Sequence, residues 1–160
     1  MPPENTSTSS NLSIGQELWN WANDLFPICR SLTGEGNRQT LNYLKQIVPS
    51  LNTHEVPTGT KAFDWNVPDE WTIRGGHITD PEGNKVVDFA DNNLHVVGYS
   101  EPVNRSISLD ELQQHLHSIP DLPDAIPYVT SYYARNWGFC MADAVRRNLP
   151  NGKYQVVIDA

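Results

Sequence analysis

Two amphipathic runs, each cut off by a proline, open the chain and constrain everything after them. Ile14, Leu18, Trp21, Ala22 and Leu25 fall on one face at helical spacing, and Pro27 ends the run. Ser13 stands three residues ahead of Gln16, the spacing of a capping box, so the first helix is predicted to start there. A second helix is predicted from about Gly36 to Val48, with Leu41, Leu44, Ile47 and Val48 on its buried side and Pro49 as terminator. The stretch CRSLTGEGNRQTL, residues 29–41, joins them.

Gly34 and Gly36 in that joint invite a phosphate-binding reading, which the sequence rejects. A P-loop needs a lysine after its second glycine and a strand before its first, and here no lysine is in place and the preceding element is a helix. A dinucleotide fingerprint needs a third glycine where Gln39 stands. The glycines therefore read as a tight turn and a helix entry.

After Ser50 the texture changes to short β-rich runs between turn residues. Strands are expected near 71–79, 85–89 and 94–99, with DPEGN closing a hairpin between the first two. Ser108 and Glu111 form a second capping box, opening a short helix SLDELQQHLH with Leu109, Leu112 and Leu116 on one side. The prolines of IPDLPDAIP forbid regular structure. PYVTSYY then reads as a strand, MADAVRRNL as a helix, and KYQVVIDA as a final apolar strand. Residues 1–12, rich in Ser, Thr, Asn and Pro, read as a disordered tail.

Charge and composition exclude several classes of function. Eleven basic against nineteen acidic residues give a net charge of -8, the wrong sign for binding nucleic acid or an anionic membrane. The apolar runs are too short to span a bilayer. The N-terminus lacks the basic and apolar regions of a secretory signal, and two cysteines are too few for a disulfide framework, so the expected compartment is the cytoplasm.

Candidate chemistry is sparse. Of His54, His77, His95, His115 and His117, the last two lie two apart on a predicted helix and face different ways. A His95 cluster with Asp88 and Asp91 is one arrangement, and a histidine packed in a small sheet is the commoner one. Cys29 and Cys140 sit among apolar and aromatic residues, the setting of inert buried thiols. Tyr128, Tyr132, Tyr133, Trp137 and Phe139 concentrate aromatic surface that can line a cleft or fill a core.

Four signatures in order, ICRSLTGEGNRQTLNYL, PTGTKAFDWNVPDEW, NLHVVGYSEPV and PYVTSYYARNWGFC, resemble the front part of an aminopeptidase-like family related to the di-zinc aminopeptidases and often found in polysaccharide-biosynthesis gene clusters. The resemblance covers about residue 14 to the end. It implies an α/β fold in which residues 13–56 supply the two N-terminal helices of a zinc-peptidase-like domain and a first strand at HEV, 54–56. Residues 57–140 would form an inserted β-rich domain, and 141–160 a helix and strand returning to the peptidase sheet.

The family's zinc-ligand segment has no counterpart here, so no metal ligand is carried over to any numbered residue. The leading expectation is an N-terminal fragment of a zinc-dependent hydrolase of peptide or amide bonds, incomplete as a fold and silent alone, with zinc belonging to the complete protein. Such a fragment would show an unpaired edge at 153–159 and exposed apolar faces on helices 14–26 and 36–48. Arg30, Thr33, His95, Tyr132 and Trp137 are the residues expected to shape its cleft. The alternative is a binding module for a glycan, peptide or protein partner. A self-contained metal site using His77 or His95 is a third, weaker reading.

Overall fold

The computed structural model describes residues 13–132 and 134–160. The tail read over 1–12, and Tyr133, lie outside the described residues. Helix α1 (Ile14–Leu25) begins where the capping box places it, with the Ser13 hydroxyl accepting from the Gln16 amide at 3.3 Å. Helix α2 (Glu35–Ile47) starts behind Gly34 and ends before Pro49. Neither helix buries a residue. Ile14 is 77% exposed and Phe26, at the end of α1, 74%. Of the faces expected to be bare, Ile14, Leu18, Leu41 and Val48 are exposed, while Trp21, Leu25, Leu44 and Ile47 are half-buried.

A two-strand hairpin follows, β1 (Lys61–Ala62) and β2 (Trp65–Asn66). Then come β3 (Gly75–Thr79), β4 (Lys85–Asp88), β5 (Val103–Ser108), α3 (Leu109–Gln113), β6 (Leu116–His117), β7 (Phe139–Cys140), α4 (Asp143–Arg146) and β8 (Lys153–Asp159). The β3–β4 turn is the DPEGN hairpin. Gly83 takes φ +91, and the Asp80 carboxylate accepts from the Glu82 and Asn84 amides at 2.9 and 2.8 Å.

KYQVVIDA overturns one expectation. β8 is no unpaired edge: the main sheet runs β4-β3-β8-β5, wholly antiparallel, with β8 bonded on both sides. Tyr154, Val156 and Ile158 face the core while Gln155 and Val157 face the other way. They pack with Ile78, Val87, Ile107, Leu112, Phe139 and Met141 in one cluster. The division expected at 140/141 therefore runs through the middle of a core, since Cys140 and Met141 are both buried. A buried strand of alternating pattern takes the nearest complementary edges, and here those belong to β3 and β5.

Three other elements differ from the sequence reading. Residues 94–99 are not a strand: Asn93–His95 form a 3-10 turn capped by the Asn92 side chain, and Val96 makes a single bridge to Phe139. The described part of PYVTSYY, residues 127–132, is a loop whose only ladder contact among the described residues is a Gly98–Thr130 bridge. The Ser131 hydroxyl adds to the backbone bonds of that bridge, reaching the Gly98 and Tyr99 carbonyls at 3.1 Å each. HEV at 54–56 forms no strand, because no described segment lies beside it to complete a ladder. No helix among the described residues is long and apolar enough to cross a membrane.

Candidate functional site

The opening helices meet the sheet unit at the Cys29–Gly36 joint, and its geometry follows from the two glycines. Gly34 adopts φ +91, and a Cβ there would collide with the Trp71 carbonyl; a Cβ on Gly36 would collide with the Cys29 carbonyl. This close approach brings Thr33 against the sheet unit. Its hydroxyl accepts from the Trp71 amide at 3.0 Å and shares a 2.7 Å hydrogen bond with the Tyr99 hydroxyl.

Around that hydroxyl the aromatics assemble. Trp71 stacks on Tyr99 with centroids 5.6 Å apart and planes at 19°, and Tyr132 meets Tyr99 edge-on at 5.0 Å. The Trp71 indole N–H donates to the Ser100 carbonyl at 2.9 Å, which fixes the ring. Tyr99 itself takes φ +64, a left-handed conformation a bulky residue adopts only when its surroundings hold it. Burial pushes its hydroxyl above the ordinary tyrosine value.

Two hollows flank Tyr132. One, of about 400 Å³, lies between Trp71, Tyr99 and Tyr132, with Asp69, Glu101 and Arg135 at its rim. The other, of about 630 Å³, is walled by Leu32, Trp65, Tyr128 and Tyr132. The two share Ser131, Tyr132 and Ala134 in their walls, so the hollows lie on either side of Tyr132 along one aromatic groove wall. Glu70 edges the first hollow and is gripped from behind by Arg38 through two hydrogen bonds of 2.9 and 2.5 Å, which hold its carboxyl below the usual range.

The residues expected to form a cleft divide into two groups. Thr33 and Tyr132 come together through Tyr99. Arg30 borders a neighbouring hollow of about 240 Å³ that shares Trp71 and Tyr128 with the groove. His95 and Trp137 do not join them. The His95 Nδ1 bonds the Cys140 carbonyl at 2.8 Å, so this histidine props a strand end. Trp137 is sandwiched by packing: it stacks on His115 at 3.6 Å, lies 5.3 Å from the Arg105 guanidinium and meets Phe139 edge-on at 6.3 Å. Sequence reasoning missed Trp71 and Tyr99, although both sit inside the quoted signatures. Their role depends on a contact across 66 positions, which no local pattern carries.

Nucleophile and metal chemistry find little support in these residues. Burial pushes the Cys140 thiol up to about 11 and raises Cys29 as well, so neither offers a thiolate near neutrality. Burial lowers His117, helped by Arg146 and His115, which keeps it neutral. Among the described residues no three His, Cys, Asp or Glu side chains form a group able to hold a metal ion, so the zinc implied by the resemblance does not fit this donor set.

The fold is mixed α/β and similar to that of a protein of known structure titled as a peptidase. The chain aligns with the crystal structure of a Clostridium acetobutylicum protein, provisionally titled a peptidase, at a TM-score of 0.87 and 49% identity; the match covers 91% of this chain and 34% of that one. It belongs to the family described as a domain of unknown function, DUF2172, whose profile matches residues 70–160. A relative from the same organism, provisionally named a polysaccharide biosynthesis protein with aminopeptidase-like domain, is 46% identical over 156 residues, 98% of this chain and 36% of the relative. The aminopeptidase-like resemblance read from the four signatures is thus borne out. The chain spans about a third of the length of the curated relative it matches.

Proposed function

We propose that this chain is the N-terminal part of an aminopeptidase-like hydrolase and contributes substrate-facing walls, not the reacting groups. The observation that carries this reading is that α1 and α2 hold no fully buried residue and leave Ile14, Leu18, Leu41 and Val48 exposed, in a chain matching 36% of its relative. Amphipathic helices gain their stability by covering that face, so they call for a further layer of protein. In the complete protein that layer would hold a zinc ion, and the substrate would be a peptide or related amide, acted on in the cytoplasm. Thr33 and Tyr132 would shape the groove directly and Arg30 its border, while His95 and Trp137 would act by holding the sheet unit in form.

The test compares the 160-residue chain with the same chain extended to the length of its relatives. The extended protein is expected to release the aromatic amine from aminoacyl anilides in a zinc-dependent way, and the 160-residue chain to release none. Hydrolysis by the short chain, or its absence from the zinc-loaded extended protein across a panel of aminoacyl anilides, sinks the reading. A binding module is the second reading, favoured by the aromatic groove; retention of a ligand by the short chain with no hydrolysis by the long one would support it.

A further inference from the structure

The groove on either side of Tyr132 has walls of one character and a rim of another, and the combination selects a ligand. We infer that it binds an organic ammonium ion carrying an apolar body, with the charged head beside Trp71, Tyr99 and Tyr132 and the apolar body toward Trp65 and Tyr128.

Three observations lead there. The first hollow collects three carboxylates, Asp69, Glu70 and Glu101, against one lining cation, Arg135. Arg135 is 87% exposed at its side chain and reaches Glu101 only at 3.6 Å, a solvated pair of small energy. Arg38 neutralises Glu70 from the far side, and Asp69 makes no ion pair among the described residues. Negative charge is thus left over at the mouth of a hollow whose walls are aromatic. Ring faces attract cations through their quadrupole, and carboxylates nearby add to that attraction. The chain's net charge of -8 works in the same direction over longer range.

The second hollow differs. Trp65, Tyr128 and Leu32 are all substantially exposed there, at 41%, 68% and 58%, and no charged side chain lines it. An apolar group placed against them removes that surface from water. The aromatics of the first hollow are also preorganised. Trp71 is tied to Ser100, Tyr99 to Thr33, and Ser131 to the Gly98 and Tyr99 carbonyls, so little ordering remains to be done on binding. Neutral sugars and anionic groups fit this arrangement less well, the first because they leave the charge unanswered and the second because they meet like charge. The inference stands apart from hydrolysis, since it concerns what the groove holds and needs no metal.

The experiment titrates 2-phenylethylammonium, and separately its neutral counterpart 2-phenylethanol, into the full 160-residue chain at low salt, followed by heteronuclear NMR and calorimetry. The ammonium ion is expected to saturate with shifts centred on the Trp71 indole N–H and the amides of 69–72 and 131–132. The alcohol is expected to bind about tenfold more weakly, the difference one charge-assisted contact supplies. Asp69→Asn and Glu101→Gln should each weaken the ammonium ion and leave the alcohol unchanged, and both side chains are exposed enough that folding survives. Equal affinity for the two probes, shifts elsewhere on the surface, or tighter binding of a neutral disaccharide such as cellobiose would each overturn the inference.

Discussion

The hydroxyls of Thr33 and Tyr99 lie 2.7 Å apart although 66 positions separate them in the chain. The Thr33 oxygen also receives the Trp71 amide, so one small side chain ties the end of the helix joint to two aromatics of the sheet unit. Further polar ties are the Glu35 amide to the Thr72 hydroxyl at 3.4 Å, Arg38 to Glu70, and the Asn93 side-chain amide to the Phe26 carbonyl at 3.5 Å. The joint is narrow, and Thr33 is its centre.

Thr33→Val keeps the shape and removes the oxygen. The Trp71 amide and the Tyr99 hydroxyl then lose their partner in a half-buried setting, which costs about 1–3 kcal/mol. Urea denaturation should show that loss, while Thr33→Ser stays within about 1 kcal/mol of the parent because it retains the oxygen. A Thr33→Val protein as stable as the parent would mean the joint is held by other contacts.

Glycine spacing in CRSLTGEGNRQTL makes a second prediction. Gly34→Ala and Gly36→Ala each drive a methyl group into a backbone carbonyl, and at Gly34 the left-handed backbone adds strain of roughly 1–2 kcal/mol. Gly15, inside α1, has open space where a Cβ would stand, with no atom within 4 Å, and Gly15→Ala should be neutral or stabilising by up to about 1 kcal/mol. Thermal melts of the three variants should rank Gly15→Ala highest.

Local order was legible in the sequence wherever a short-range device sets it. The Ser13 cap, the DPEGN turn and the Ser108 cap, whose hydroxyl accepts from the Glu111 amide at 3.2 Å, all lie where the spacing puts them. Reading failed where partners decide the outcome. Val156 and Ile158 announce a buried strand, but nothing in KYQVVIDA says that its neighbours are β3, some 80 residues earlier, and β5. PYVTSYY has strand composition, yet its described residues 127–132 find only a single bridge to Gly98 and stay a loop. Of the candidate groove, Thr33 and Tyr132 were visible and Tyr99, which joins them, was not.

Thiol reactivity should separate the two cysteines. Cys140 is fully buried and its thiol is pushed up to about 11, so it should resist a disulfide reagent at pH 8 until the protein unfolds. Cys29 is half-buried and raised less, and should react slowly but within the native state. Fast modification of two thiols in native buffer would contradict the packing of β7.

Acid should weaken the fold in two stages. Burial lowers folded His117, so the unfolded chain takes up that proton first and stability begins to fall as the pH drops below about 6.5. Glu70 and Asp159 are lowered by hydrogen bonds from Arg38 and Arg74, and Asp80 by the Asn84 amide, so their stabilisation is present above about pH 4 and lost as the pH falls through their folded values. Denaturation midpoints measured from pH 8 to 3 should therefore decline gently, then steeply. His117→Gln should remove the first stage alone, and 1 M salt should blunt the exposed pairs in the second.

Deletion separates the sheet unit from the helices that precede it. β8 carries the ladders to both β3 and β5, and Tyr154, Val156 and Ile158 on its inner face are 0%, 0% and 2% exposed. Removing 153–160 strips both neighbours of their partner and should leave a chain without cooperative unfolding. Ile158→Ala alone should cost about 2–5 kcal/mol, whereas Val157→Thr on the opposite, half-exposed face should cost far less. Removing residues 1–69 takes away α1, α2 and the β1–β2 hairpin, none of which holds a fully buried residue, and leaves every member of the core cluster in place. That shortened chain should keep its slow-exchanging amides in β3, β5 and β8 and unfold in a single transition, having lost only the contacts of the joint and the hairpin. Should it instead fail to fold, the helices, joint and hairpin of residues 1–69 contribute more to the sheet unit than their exposure allows.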